Sequence, residues 1–117
     1  MQYMLLIYSA EGREPQPGTE AFGKYIQEYQ EFSRMCVDKG VMRAGDALQP
    51  VSTATTVTRE TGKIEITDGP FAETKEQLGG YYLLECKDLD EALDYAGQIP
   101  TARHGRVEVR PLMVFDQ

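Results

Sequence analysis

The segment TDGPFAETKEQLGGYYLLEC, residues 67–86, joins a turn-forming loop to a strongly apolar strand. Its last part, residues 81–86, has apolar or aromatic side chains at nearly every position, which is typical of a central strand covered on both faces. The segment QYMLLIY, residues 2–8, has the same pattern. We therefore predict that these two strands lie in the middle of one sheet.

Two amphipathic helices are predicted beside these strands. The first follows Thr19, a plausible N-cap, and ends at Gly40, which suits a C-terminal cap. The second begins at Asp88, with Glu91 three residues on, and Pro100 lies just beyond its end. The first helix repeats apolar residues at three- and four-residue spacing, which indicates one buried face: Phe22, Tyr25, Ile26, Tyr29, Phe32 and Cys36.

The remaining segments complete an α+β fold. A second strand is predicted over residues 41–48, a hairpin over 54–59 and 63–67, and a last strand over 106–115. The element order β-α-β-(hairpin)-β-α-β predicts a ferredoxin-like split βαβ plan with an inserted β-hairpin. A chain of 117 residues has the size of one domain, so the predicted domain spans residues 1–117.

Two helices cover only one face of such a sheet. The apolar residues of the other face need a second cover, and another copy of the same sheet would provide one. This predicts a homodimer in which two sheets stack as a barrel-like sandwich. An extended loop of the same chain is the alternative cover.

The composition excludes several classes of partner. The formal net charge is -7 and no basic cluster offsets it, so we expect neither nucleic acid nor anionic membrane as a partner. The apolar run near the N-terminus is too short for a membrane span or a secretory signal, which predicts a cytoplasmic protein. Cys36 and Cys86 lie in apolar stretches and are interpreted as buried core residues. No metal-ligand spacing or cofactor motif occurs, so no metal or cofactor is predicted.

The loop 67–76 is the first candidate for function. Gly69 and Pro70 restrict the backbone and make the loop stiff, while Asp68 can accept hydrogen bonds within the turn. Phe71 is an apolar side chain that could pin the loop to the sheet. The following charges, including Glu73 and Lys75, could contact a substrate, although a plain turn with solvated charges has the same pattern.

His104 is the second candidate. It is the sole histidine, and imidazole titrates near neutrality, which suits general acid–base catalysis. Its neighbours Arg103 and Arg106 equally suit an exposed loop residue without a role. The tyrosines, by contrast, have core spacing and are interpreted as packing residues with hydroxyl groups at the rim: Tyr25, Tyr29, Tyr81 and Tyr82.

The run DGPFAETKEQLGGYYLLE, residues 68–85, resembles the YCII-related proteins of the DGPF type. The segments YMLLIY (3–8), AGDALQP (44–50) and HGRVEVRPLMVF (104–115) resemble the same family. The resemblance implies a ferredoxin-like fold that dimerises into a barrel-like sandwich with a cleft between subunits. It also implies a relationship to a dehydrochlorinase that acts on a chlorinated hydroxyquinol. DGPF-type proteins resemble, in addition, proteins often encoded beside extracytoplasmic-function sigma factors, which implies a signalling or accessory role.

Some relatives are proposed to use a histidine–aspartate pair whose histidine belongs to the first helix region. No histidine occurs in residues 20–39 here, so Asp68 and His104 are the remaining candidates. A small organic molecule would then bind in a cleft with Phe71, His104 would act as the base, and Lys75 or Arg110 would stabilise an oxyanion. A binding or regulatory module without catalysis is the alternative, and a weak metal site at carboxylates such as Asp68 and Glu73 stays open.

Overall fold

The chain forms a four-stranded antiparallel sheet, two helices and a separate two-stranded hairpin. A computed structural model describes residues 1–115, and residues 116 and 117 of the predicted domain lie outside it. The elements are β1 Gln2–Ala10, α1 Glu20–Asp38, β2 Met42–Ala47, β3 Thr55–Thr58, β4 Glu65–Asp68, β5 Glu76–Glu85, α2 Leu89–Gln98 and β6 Arg106–Pro111. Short 3₁₀ segments span Val51–Thr53 and Pro100–Arg103.

The strand order in the main sheet is β2-β5-β1-β6, with every neighbour antiparallel. β1 and β5 therefore occupy the middle of the sheet, as the two apolar segments predicted. Their pairing runs from Gln2 opposite Glu85 to Ala10 opposite Glu76. This order confirms the ferredoxin-like α+β plan with an inserted hairpin.

The helix ends follow the local signals in the sequence. The Thr19 hydroxyl accepts a hydrogen bond from the Phe22 amide at 3.1 Å, which satisfies one of the free N–H groups of α1. Gly40 lies just past the helix with φ of +74°, a conformation that glycine adopts without strain. At α2 the Asp88 carboxylate accepts from the Glu91 amide at 2.9 Å. Both predicted N-caps are thus confirmed.

The core lies between the helices and one face of the sheet. Phe32 of α1 meets Tyr82 of β5 edge to face, with 5.0 Å between ring centroids. Cys36 and Cys86 are both buried free thiols within this core, as predicted. Tyr3, Leu5 and Ile7 alternate along β1 and are buried here.

The opposite face of the sheet, here called the open face, remains partly accessible in the single chain. It carries the alternate side chains of β1 and their partners on β5, which are neither fully buried nor fully exposed. The helices thus cover only one face of the two central strands. The apolar sequence of these strands predicts a cover for the other face as well, and the helices do not provide it. Its apolar and aromatic members are Met4, Leu6, Tyr8, Leu78, Tyr81 and Leu83.

The hairpin of β3 and β4 forms its own two-stranded sheet. Val57 and Ile66 face each other in its register and are 62% and 68% exposed, so these apolar side chains are largely accessible to solvent within residues 1–115. The radius of gyration is 16.3 Å, whereas a compact chain of this length has about 13 Å. The larger value is consistent with a hairpin that projects from the main body.

The start of β5 and the end of the last strand differ most from the predictions. β5 begins at Glu76, five residues earlier than expected, because Gly79 forms a bulge and Gly80 fits closely against β2. A Cβ atom at Gly80 would lie 2.9 Å from the Asp46 carbonyl oxygen, so these glycines allow the strand to continue and do not break it. The last strand ends at Pro111, and Phe115 lies beyond it as an exposed residue.

Candidate functional site

A cavity of about 320 Å³ lies where the first loop meets the ends of the central strands. Its walls come from four parts of the chain: the end of β1 with the loop 11–17, the first turn of α1, the connection from β2 to β3, and the start of β5. Apolar side chains such as Phe22, Leu48 and Leu78 form much of the wall, and several amide and hydroxyl groups interrupt it. This mixture is typical of a small-molecule site.

Glu14 is the best-anchored polar group of this cavity. One carboxylate oxygen, Oε1, accepts hydrogen bonds from the Ser9 hydroxyl at 2.9 Å and from the Tyr25 hydroxyl at 3.4 Å. Glu11 is the other charged residue of the wall, and none of its described residues is a lysine, arginine or histidine. The cavity is therefore acidic.

A cluster of hydroxyl groups lies behind Glu14. The Thr101 hydroxyl, in a residue that is only 1% exposed, is hydrogen-bonded to the hydroxyls of both Tyr25 and Tyr29. The rings of Tyr25 and Tyr29 pack edge to face with centroids 5.3 Å apart. Burial raises the pKa of Tyr25 and of Tyr29, although the hydrogen bond to Thr101 opposes that rise.

His104 adjoins this hydroxyl cluster. Its ring centroid lies 5.9 Å from that of Tyr25, and its Nε2 atom is buried without a hydrogen-bond partner within the described chain. Gly105 makes the position possible, since a Cβ atom there would lie 2.2 Å from the Tyr8 carbonyl oxygen and 3.1 Å from Ser9 Cβ. The turn that carries His104 therefore packs directly against the end of β1, next to the cavity wall.

The arginines that flank His104 point to other partners. Arg103 makes a two-pronged ion pair with Glu28, with N–O distances of 2.6 and 2.9 Å. Arg106 donates from Nε to Glu76 Oε1 at 2.6 Å. His104 itself is half-buried, so the alternative of a simple exposed loop histidine does not describe its position.

Asp68 lies at the end of the hairpin, opposite Thr55. The next residue, Gly69, has φ of +94° and donates its amide to the Ala54 carbonyl at 2.7 Å, and its own carbonyl accepts from the Thr56 hydroxyl at 2.8 Å. These bonds hold the start of the loop close to the segment after residue 50 that forms part of the cavity wall. The Asp68 side chain is exposed, and no hydrogen bond joins it to His104 within residues 1–115.

The other predicted site residues lie apart from the hydroxyl cluster. Phe71 is 90% exposed, so the expectation that it pins the loop to the sheet of its own chain is wrong. Glu73 and Lys75 are exposed in the same loop. Arg110 lies on β6 opposite Met4, at the edge of the open face.

Sequence reasoning missed the polar network of the cavity wall and of the hydroxyl cluster behind it. Ser9 and Glu14 belong to the wall, and the cluster consists of Tyr25, Tyr29 and Thr101. The four-residue spacing of the two tyrosines was visible, but it equally fits plain packing. The Tyr25 hydroxyl is buried in the cluster, which corrects the expectation of a hydroxyl at the rim. Tyr81 fits that expectation, since its exposed hydroxyl donates to Asp46 at 2.9 Å.

A second cleft, of about 340 Å³, lies on the outer side of the helices. Its charged residues are Glu28, Glu31 and Arg103, and Glu28 already forms an ion pair with Arg103. Within residues 1–115 no three histidine, cysteine or acidic side chains gather as a metal site would require. In the same range, no helix combines the length and apolarity that crossing a bilayer takes.

The comparisons with known proteins agree with this fold. The model of the YCII-related domain matches residues 1–116. An uncharacterized protein of Rhizobium meliloti (strain 1021) is 37% identical over 117 residues, covering 98% of this chain and 94% of that protein. The chain belongs to the YCII-related family.

A solved structure with a similar fold is 5-chloro-2-hydroxyhydroquinone dehydrochlorinase from Burkholderia phenoliruptrix AC1100, in complex with 2,5-dihydroxybenzoquinone. The two chains share 14% identity, with a TM-score of 0.50 over 97% of this chain and 94% of that one. At this identity the likeness extends to the fold.

Proposed function

We propose that this protein is a homodimer that binds a small organic molecule in the acidic cavity and catalyses a proton transfer of the lyase type. The observation that carries the proposal is the Nε2 atom of His104, which is buried and has no partner within the described chain. A buried polar atom without a hydrogen bond costs about 1–3 kcal/mol. Such an atom is therefore expected where a ligand or a water supplies the missing partner.

The chemistry of imidazole fits this role. An elimination needs a base that removes a proton from carbon while the leaving group departs with the C–X electron pair, and the base then releases the proton to solvent. An isomerisation needs a base that removes a proton and returns it at another atom, and histidine can serve in either role near neutral pH. His104 is not itself a wall residue of the cavity. Its ring lies 5.9 Å from that of Tyr25, whose hydroxyl donates to Glu14 of the wall, and the adjacent Gly105 packs against the end of β1 at Tyr8 and Ser9. The related fold of a dehydrochlorinase, whose reaction removes the elements of HCl, supports an elimination as the reaction class.

The role of Asp68 as the partner of His104 remains a proposal. The two side chains make no contact in one subunit, so an interaction would need the loop of a second subunit or a closing movement of the loop. Phe71, Glu73 and Lys75 share that loop and would contact the substrate with it. Lys75, or Arg110 from the open face, would stabilise a developing oxyanion.

The homodimer is supported by the open face of the sheet. Its centre is apolar, while charged side chains occupy its edges, as in many protein interfaces. Stacking two such faces would bury the central residues Met4, Leu6 and Leu83 of both subunits. It would also bring the loop after Asp68 and the cavity of the two subunits into one assembly.

The catalytic proposal is tested with a panel of chlorinated hydroxyquinols and other halo-aromatic compounds, with chloride release as the readout. We expect turnover by the wild type and none by His104→Ala, with the amide NMR spectrum unchanged away from residue 104. Arg103→Gln is the matched control, because Arg103 is adjacent but faces Glu28, and it should retain turnover. Equal turnover by His104→Ala would remove His104 as the base.

A binding or regulatory module without catalysis is the second candidate. The exposed apolar side chains of the hairpin and its loop, Val57, Ile66 and Phe71, favour it, since such residues suit a protein contact. In this case a purified extracytoplasmic-function sigma factor encoded beside the gene should bind the wild type, and Phe71→Ser should bind at least tenfold more weakly. Absence of binding by the wild type would count against the regulatory candidate.

A further inference from the structure

The charge of the cavity wall bears on the kind of molecule that it accepts. Glu11 and Glu14 supply negative charge, and the described residues of the wall supply no positive charge to balance it. Both side chains are exposed, so solvent screens their charge in part, and the charge preference applies to groups that a ligand places next to these carboxylates. This selectivity rests on the proposed function, since it concerns the same cavity.

Glu14 is held so that it can still accept a hydrogen bond. Both donors within the described chain, Ser9 and Tyr25, reach Oε1, and none reaches Oε2. An ionised carboxylate has about four acceptor positions, so two bonds at one oxygen leave capacity for a ligand. Since Glu14 belongs to the cavity wall, that capacity is available to a molecule inside the cavity.

The hydroxyl cluster fixes the direction of donation toward Glu14. A carboxylate only accepts, so the Tyr25 hydroxyl must donate to Glu14 in this bond. The Thr101 hydroxyl then donates to Tyr25, and the Tyr29 hydroxyl donates to Thr101. The proton of each hydroxyl is used within the chain, so Tyr25 has no proton left to offer an anionic ligand.

We infer that the cavity selects small molecules that present a hydroxyl or ammonium donor to Glu14 and that it rejects molecules with a carboxylate or phosphate group. A donor would complete the bonding of the Glu14 carboxylate. An anion would instead face two like charges, and neither Tyr25 nor a wall cation would stabilise it. Glu14 is thus the specificity-determining residue of the site.

Three compounds of nearly equal shape test this selectivity: benzylamine, benzyl alcohol and benzoate. Each is titrated at pH 7 into the ¹⁵N-labelled full chain, and the amide signals of Ser9, Gln77 and Leu78 report occupancy of the cavity. We expect benzylamine and benzyl alcohol to shift these signals and benzoate to bind at least tenfold more weakly than benzylamine. Equal affinity for benzylamine and benzoate would overturn the inference.

Two variants, each lacking one carboxylate, test which glutamate causes the charge preference. Glu14→Gln should bring the affinities for benzylamine and benzoate to within about threefold, because its amide has no charge and can also donate. Glu11→Gln is the matched control, since it removes one charge from the same wall without the anchoring bonds, and it should retain most of the preference. A preference that survives in Glu14→Gln and disappears in Glu11→Gln would overturn the role of Glu14.

The outcomes separate this inference from the proposed function. Binding of all three compounds without regard to charge leaves the cavity as a ligand site and overturns the selectivity alone. Binding of none of them, at concentrations up to tens of millimolar, removes the cavity as a ligand site and the selectivity with it. Loss of turnover in His104→Ala is a separate result and does not bear on the charge preference.

Discussion

The two faces of the central sheet are formed by the same strands, yet the helices of the same chain bury only one of them. On β5, Leu84 points to the helices and is fully buried, whereas the adjacent Leu83 points to the open face and stays partly accessible. The helix-covered face has aromatic and thiol groups packed around it. The open face has an apolar centre with charges at its edges, which is the pattern of a surface that receives another molecule.

The largest expected effect is a loss of stability, and a matched pair of substitutions, one on each face, compares it between the two faces. Leu84→Ala removes a fully buried side chain and should lower the free energy of unfolding by about 2–5 kcal/mol. Leu83→Ala should lower the free energy of unfolding of the isolated subunit much less, because this side chain buries less apolar surface there. Urea unfolding measures both values, and equal losses that do not depend on protein concentration would contradict the distinction between the faces.

Disrupting the open face should abolish the proposed dimer. Leu6→Lys puts a charge at the centre of that face, and light scattering at micromolar concentration should then give the 13.2 kDa monomer in place of twice that mass. Leu93→Lys on the exposed side of α2 is the matched control and should leave the dimer intact. The dimer proposal fails if the wild type itself has only the monomer mass.

Alkaline pH should weaken the covered face. Burial raises the pKa of Cys36 from 9.0 to about 11, so the stabilisation is present below pH 9 and is lost as the pH rises through 11. In that interval the free energy of unfolding should fall by about 1.4 kcal/mol per pH unit for this thiol. Above pH 10 the raised pKa of Tyr29 adds to the loss.

The variant Cys36→Ala provides the control for the pH effect. Urea unfolding at pH 8 to 11 should show a smaller fall for this variant between pH 9 and 11, after its lower starting stability is taken into account. Tyr29→Phe should instead reduce the fall above pH 10. Identical pH profiles for the wild type and Cys36→Ala would show that the thiol is not the source.

The smallest effect concerns the ion pair of Arg106 and Glu76 across the end of the open face. Arg106→Gln should cost less than about 1 kcal/mol in the isolated subunit, because Arg106 is largely exposed and salt screens the pair. The measurement is made in a monomeric Leu6→Lys background and in the wild-type background. A larger cost in the latter alone would indicate that dimerisation covers the pair.

Local signals in the sequence were sufficient for most of the fold. Thr19 and Asp88 cap their helices as predicted, because capping depends on residues within three positions of one another. The apolar segments 2–8 and 81–86 are the central strands, since continuous apolar runs suit strands with two covered faces. The end of β6 was misjudged, because apolar residues after Pro111 continue the pattern without pairing.

The candidate site was predicted only in part, because it depends on contacts distant in sequence. Asp68 and His104 were chosen for their chemistry, but residue type does not show whether two side chains meet across 36 positions. Glu14 is an exposed carboxylate in an irregular loop without periodicity, so nothing local distinguished it from the other acidic residues of the surface. Its importance follows from a hydrogen bond to Tyr25 and from the cavity wall.

By itself, the sequence determined the α+β class, the order of the elements and the identity of the two central strands, since these follow from short-range periodicity and capping. The tertiary structure decided which polar groups converge. Close packing of Gly105 on β1 brings His104 beside Tyr25, and Thr101 joins two tyrosines of a helix more than seventy residues earlier in the chain. Such convergence depends on the packing of the whole chain, which no local pattern encodes.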